Sequence, residues 1–100
     1  MIKHIVLYKL KEIENEDQKA VVRNKIKTAL LSLKDKFKEV KYIEVGLNHE
    51  LNSDSFDICL ITHFETLEDF NFYQDHPEHL KVKEFVKANA SERAAVDYEF

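Results

Sequence analysis

Tryptophan is absent from these 100 residues, and glycine, proline, cysteine and methionine occur once each. A single cysteine, Cys59, cannot form an internal disulfide, and a lone thiol inside an apolar run suits a reducing compartment. A single glycine, Gly46, leaves no glycine-rich phosphate loop, and no nucleophile–base motif is present. Basic residues are not in excess: 15 Lys and Arg face 19 Asp and Glu, for a net charge of −4. With no basic stripe to offer a phosphate backbone, nucleic acid is not an expected partner. No apolar stretch approaches membrane-spanning length. The opening MIKHIVLYKL carries Lys3 and His4 within its apolar run and lacks a small-residue cleavage site. Neither a membrane anchor nor a signal peptide is expected, and the cytoplasm is the expected compartment. Linkers, repeats and low-complexity tracts are missing too, so residues 1–100 should form one domain.

What is present is an ordinary globular mixture, 44% hydrophobic and 34% charged. IKHIVLYKL alternates with period 2 and predicts a strand. Its even face holds Ile2, His4, Val6, Tyr8 and Leu10, and its odd face Lys3, Ile5, Leu7 and Lys9. Asn15 before Glu16 and Asp17 predicts a helix start. Val22, Ile26, Ala29, Leu30, Leu33 and Phe37 continue it at helical spacing, with Lys34, Lys36 and Lys38 near its end. VKYIEVGL (40–47) predicts a second strand, with Gly46 marking a bulge or bend. NHELNSDS (48–55) reads as a loop and FDICLITHF (56–64) as a third strand. Thr66 to Asp69 form a capping box that opens a short helix, with Leu67, Phe70 and Tyr73 inward. Pro77 suits the first turn of a further helix carrying Leu80, Val82, Phe85, Val86 and Ala90. AAVDYEF closes the chain as a fourth strand. The order β-α-β-β-α-α-β predicts an α+β, ferredoxin-like, four-stranded antiparallel sheet with helices on one face.

The opposite face of that sheet should be wet, yet it carries Ile5 and Leu7 on the first strand and Cys59 and Ile61 on the third. Lys3, Lys9, Asp57 and His63 flank these pairs. A face apolar in the middle and polar at its ends suits a sheet covered by another sheet. A homodimer through Ile5, Leu7, Cys59 and Ile61 is therefore expected.

The segments KHIVL, EVG, Y-x-x-HP-x-H and VDYE, in this order along the chain, resemble the stress-responsive A/B barrel (Dabb) family. That resemblance implies a dimeric α/β barrel, two four-stranded sheets facing each other. It implies little about activity, since many members have none assigned. Some plant members are polyketide cyclases that use two histidines and a tyrosine. Position by position, their pocket residues fall on His4, Tyr73 and His79. A further tyrosine of the cyclases has no counterpart in VVRNKIKTAL. The haem-degrading dimeric barrels are a second analogy, but they rely on a tryptophan.

Weighed on chemistry, His4, Tyr73 and His79 are the candidate pocket residues. A half-buried imidazole can act as acid or base near neutrality, and a tyrosine can hydrogen-bond a developing oxyanion. The competing reading makes both histidines core groups that satisfy a neighbouring carbonyl or hydroxyl. His76, before Pro77, reads as a helix cap. His4, His76 and His79 make only a weak metal signal, so neither a metal nor a cofactor is expected. His49 and His63 read as solvated, and Asp97 and Glu99 as partners for strand lysines or for the second protomer. Two functions stay open: a small-ligand-binding module without established activity, and an acid–base enzyme acting on a small carbonyl or polyketide-type compound.

Overall fold

A computed structural model describes residues 1–49 and 55–100. The strands are β1 (Ile2–Leu10), β2 (Tyr42–Leu47), β3 (Ile58–Phe64) and β4 (Ala90–Glu99). The helices are α1 (Glu16–Leu31), α2 (Leu33–Lys36), α3 (Leu67–Asp75) and α4 (Pro77–Asn89). The four strands form one sheet in the order β2-β3-β1-β4, with every neighbouring pair antiparallel. This is the expected ferredoxin-like arrangement. Among the described residues no helix is long and apolar enough to cross a membrane.

Local chemistry sets the helix starts. Asn15 caps α1 by accepting from the Gln18 N–H at 3.1 Å, and Thr66 caps α3 by accepting from the Asp69 N–H at 3.1 Å. His76 accepts from the Glu78 N–H at 3.1 Å through Nδ1, with Pro77 in the first turn of α4. The HP pair is thus a helix start, as its sequence suggested.

The even face of β1 lies against the helices: Ile2, Val6, Tyr8 and Leu10 are all buried. Leu60 and Phe64 of β3, Ile26 and Leu30 of α1, Leu33 of α2 and Val86 of α4 complete the core. Each such aliphatic side chain contributes about 1.5–3 kcal/mol on full burial.

Several expectations are corrected. Leu67, Leu80 and Phe85 point outward, at 59%, 42% and 39% exposure, because α3 and α4 each turn only a narrow stripe inward. The long helix breaks at Ser32, whose hydroxyl donates to the Ala29 carbonyl at 2.6 Å, and Phe37 lies beyond the short α2. Gly46 marks no bulge, since β2 and β3 pair without a shift from Tyr42 to Leu47; the irregularity falls between Lys9 and Leu10 where β1 meets β4. Strand β3 begins at Ile58 rather than residue 56, and β4 at Ala90 rather than Ala94. Of the expected loop at 48–55, residues 50–54 lie outside the described residues.

Asp57 differs most from its expected place at the rim of the outer face. It is buried, accepts from the Leu10 N–H at 2.7 Å and lies 3.6 Å from Lys19 Nζ on α1. Its own N–H donates to the Tyr8 carbonyl at 2.9 Å. One carboxylate therefore joins the end of β1, the start of β3 and α1. Asp57→Ala would leave the buried Leu10 N–H without its acceptor, and should cost about 1–3 kcal/mol. Urea denaturation checks this; an unchanged midpoint would contradict the tie.

Candidate active site: two histidines at one chamber

His4 enters from β1 on the helix-facing side, between Thr62 of β3 and Asp97 of β4, its direct ladder partners. It is 4% exposed, and its ring lies 4.9 Å from Phe70. Nδ1 hydrogen-bonds Asp97 Oδ1. A carboxylate oxygen accepts, so Nδ1 carries the proton, and in the neutral ring Nε2 is the basic nitrogen. Burial lowers the His4 pKa; the hydrogen bond and charge of Asp97 oppose this without overcoming it, and Arg93 lowers it further. The expected pairing of Asp97 with lysines is corrected: in the ladder it faces His4, not a lysine.

His79 comes from the first turn of α4. Its Nδ1 donates to the Gln74 carbonyl at 3.0 Å, which again leaves Nε2 as the free nitrogen. Burial lowers its pKa, opposed by the Gln74 carbonyl and reinforced by Lys83, His4 and Arg93. Both imidazoles are therefore neutral near pH 7, each with one uncommitted basic nitrogen.

Tyr73, in the last turn of α3, is fully buried. Its ring lies 4.3 Å from His79, 4.9 Å from Phe64 and 5.0 Å from Phe37. Among the described residues its hydroxyl has no hydrogen-bond partner, and neither does the buried Thr62 Oγ1. Burial drives the Tyr73 pKa far above the usual range, helped by nearby Tyr8, so the phenol stays protonated. An unpartnered buried hydroxyl is costly, and it is available as a donor.

The two histidines line one chamber of about 20 Å³, room for about one water. It adjoins a cleft of about 690 Å³ between α4 and β4; His4, Tyr8, Gln74, Lys83 and Arg93 border both. Thus His4 and His79 share the chamber, and Tyr73 packs against His79 without lining either cavity. Tyr8, Arg93 and Asp97 join the two histidines, and the sequence reading had not placed these three in the pocket. A wider groove of about 760 Å³, beside α1 and Phe85, holds none of these residues. His76 stays apart as a cap beside Phe37 and Phe72, and among the described residues no group of histidine, cysteine and carboxylate side chains is gathered to hold a metal. His63 is not simply solvated. It stacks 4.6 Å from Tyr42 and lies 4.7 Å from Phe100, with its Nε2 buried.

A family model described as Stress responsive A/B Barrel Domain matches residues 2–100. No curated protein matches the sequence. A dimeric protein of unknown function and ferredoxin-like fold from Bacteroides fragilis is 39% identical, with TM-score 0.85, over 99% of this chain and 95% of that one. A dimeric ferredoxin-like protein of unknown function from Thermobifida fusca is 24% identical, with TM-score 0.82, over 99% and 90%. A hydroxynitrile lyase from Passiflora edulis shares the fold at 17% identity, with TM-score 0.80, over 97% and 90%.

The lowered histidine pKa values have a sign. A folded-state pKa below the unfolded value of about 6.5 means that the unfolded chain binds protons first. The stability that neutral His4 and His79 contribute is complete above about pH 6.5 and falls as the pH drops toward their folded pKa values. Denaturation midpoints should therefore fall between pH 7 and pH 5, and fall less in His79→Gln. A midpoint that rises on acidification would contradict the assignment.

Proposed function

Because the chain belongs to the stress-responsive A/B barrel family, we propose that it works as a homodimer whose protomers each bind a small organic molecule in the cleft, and that His4 and His79 exchange protons with it. The observation that carries this reading is the His4–Asp97 pair: Nδ1 is committed to a carboxylate, which leaves a basic Nε2 on a ring that borders the cleft. In the chemistry proposed, a carbonyl compound loses the proton beside its carbonyl to an imidazole Nε2. The electron pair moves onto the carbonyl oxygen, and the phenol of Tyr73 donates a hydrogen bond to it. Asp97 then stabilises the imidazolium, as a carboxylate does behind a catalytic histidine. The fold neighbour that is a hydroxynitrile lyase is itself an enzyme, so the frame is compatible with catalysis.

Binding without turnover is the second reading. The inner chamber favours it, being about 20 Å³ beside a Tyr73 with no exposure, so the reacting atoms need a small opening movement. A thermal-shift screen of small carbonyl compounds identifies the ligand, and rates on the compounds that bind separate the two readings. In an enzyme, His4→Gln and His79→Gln should each lower the rate by about 10²–10⁴ with little change in melting temperature. If His4 is only a satisfied core group, His4→Ala should instead cost about 1–3 kcal/mol of stability and leave any rate unchanged.

The dimer proposal rests on the outer sheet face. Ile5 lies opposite Ile61 and Val96, and Leu7 opposite Cys59 and Ala94, a continuous apolar centre across three strands. Val96, Tyr98 and Phe100 remain 53%, 43% and 54% exposed in the single chain. Such a patch is rarely left open. The related protein from Bacteroides fragilis is dimeric. Ile61→Lys would bury an unpaired ammonium in a face-to-face dimer, a penalty of several kcal/mol. Sedimentation should show wild type as a dimer at micromolar concentration and Ile61→Lys as a folded monomer. A monomeric wild type would contradict the proposal.

A further inference from the structure

The cleft beside His4 has a charge opposite to that of the protein. The chain carries a net −4, yet Lys11, Lys83, Lys87 and Arg93 line the cleft against only Glu92 and Asp97. Asp97 is engaged by His4. Lys11, Lys83 and Lys87 make no side-chain ion pair among the described residues. Lys83 and Lys87 stand four apart on α4, a like-charge spacing that mildly destabilises a helix. The α4 dipole favours Lys87 in its last turn, but it does not account for Lys11, Lys83 and Arg93 meeting at the same cleft, whereas a negative ligand would.

We infer that the cleft takes a small organic anion, a molecule whose carboxylate or phosphate is held by Lys83 and Arg93 while its uncharged part faces His4 and Tyr8. This deepens the proposed function and rests on the cleft being the ligand site. Three elements supply the cations: Lys11 after β1, Lys83 and Lys87 on α4, and Arg93 on β4 opposite Tyr8. The guanidinium presents a planar fork that matches carboxylate and phosphate oxygens. A volume of about 690 Å³ lies within the range for small-molecule sites. A concave site with one dominant sign also concentrates ligands of the opposite sign. Lys83 and Arg93 are close enough to the inner chamber to depress the His79 pKa, so an anion between them would reverse that effect and make the imidazole a stronger base.

The test follows histidine NMR resonances of the intact protein titrated with benzoate, phenyl phosphate and the neutral isostere benzamide. Benzoate or phenyl phosphate should shift His4 and His79 with affinity at least about tenfold above that of benzamide, the scale of a charge-assisted hydrogen bond. Whichever of the two anions binds tighter separates a carboxylate ligand from a phosphate. The bound anion should raise the His79 pKa. Lys83 is exposed, so Lys83→Gln should fold normally; it should weaken the anions several-fold and leave benzamide unaffected, and Arg93→Gln should do the same. Affinity for both benzoate and phenyl phosphate no higher than for benzamide, or anion binding unchanged in both variants, would overturn this inference and leave the ligand site standing. Silence from all three probes would overturn both. Anion binding without turnover of any carbonyl compound would remove only the catalytic reading.

Discussion

The register of β1 is the constraint on which the rest of the molecule depends. The strand pairs on both edges, with β3 and with β4, and its side chains alternate strictly between the helix layer and the outer face. A slip of one residue would put Lys3 and Lys9 into the core and expose Val6 and Tyr8. The same register sets Thr62 and Asp97 on either side of His4. Core, outer face and candidate site are therefore three consequences of one alignment, and Asp57, bonded to Leu10 and close to Lys19, holds the far end of that alignment to the helix layer.

The site itself runs against the fold's interest. His4, Thr62 and Tyr73 place polar atoms in a layer otherwise filled by aliphatic and aromatic side chains, and two of those atoms, Thr62 Oγ1 and the Tyr73 hydroxyl, have no partner among the described residues. Native interiors usually satisfy such groups, and functional sites are where exceptions cluster. The two histidines make the complementary choice: each secures Nδ1 to an acceptor and keeps Nε2 uncommitted. Burial keeps both rings neutral, with Arg93 strengthening that effect at both and Lys83 at His79. A reaction needing a base at neutral pH is served by that combination, and a ligand carrying negative charge would be served by the same cations.

Much of this was legible in the chain. Asn15, Thr66 and Pro77 announce helix starts because capping and proline chemistry act within a few residues. The period-2 rows of IKHIVLYKL and ICLITHF announce strands and their inner faces, since alternation along a strand needs no knowledge of its neighbours. His4 was legible as the one polar break in the even row of β1, whereas Tyr73 and His79 were candidates through what the resemblance of the Y-x-x-HP-x-H segment to the family implies. Leu67, Leu80 and Phe85 misled, because an apolar residue on a helix does not announce whether the layer beneath is wide enough to cover it.

By itself, then, the sequence determined the elements, their order, the absence of an internal disulfide and the two apolar faces of the sheet. These follow from composition and from contacts between near neighbours along the chain. Only the tertiary structure decided that Asp97 serves His4 across 93 residues of sequence, that Asp57 is a buried tie, that His63 lies among aromatic rings, and that Lys11, Lys83, Lys87 and Arg93 gather at one cleft. Each of these pairings joins residues from different elements. Which elements meet is set by burial summed over the whole chain, and that sum leaves no local mark on any one of them.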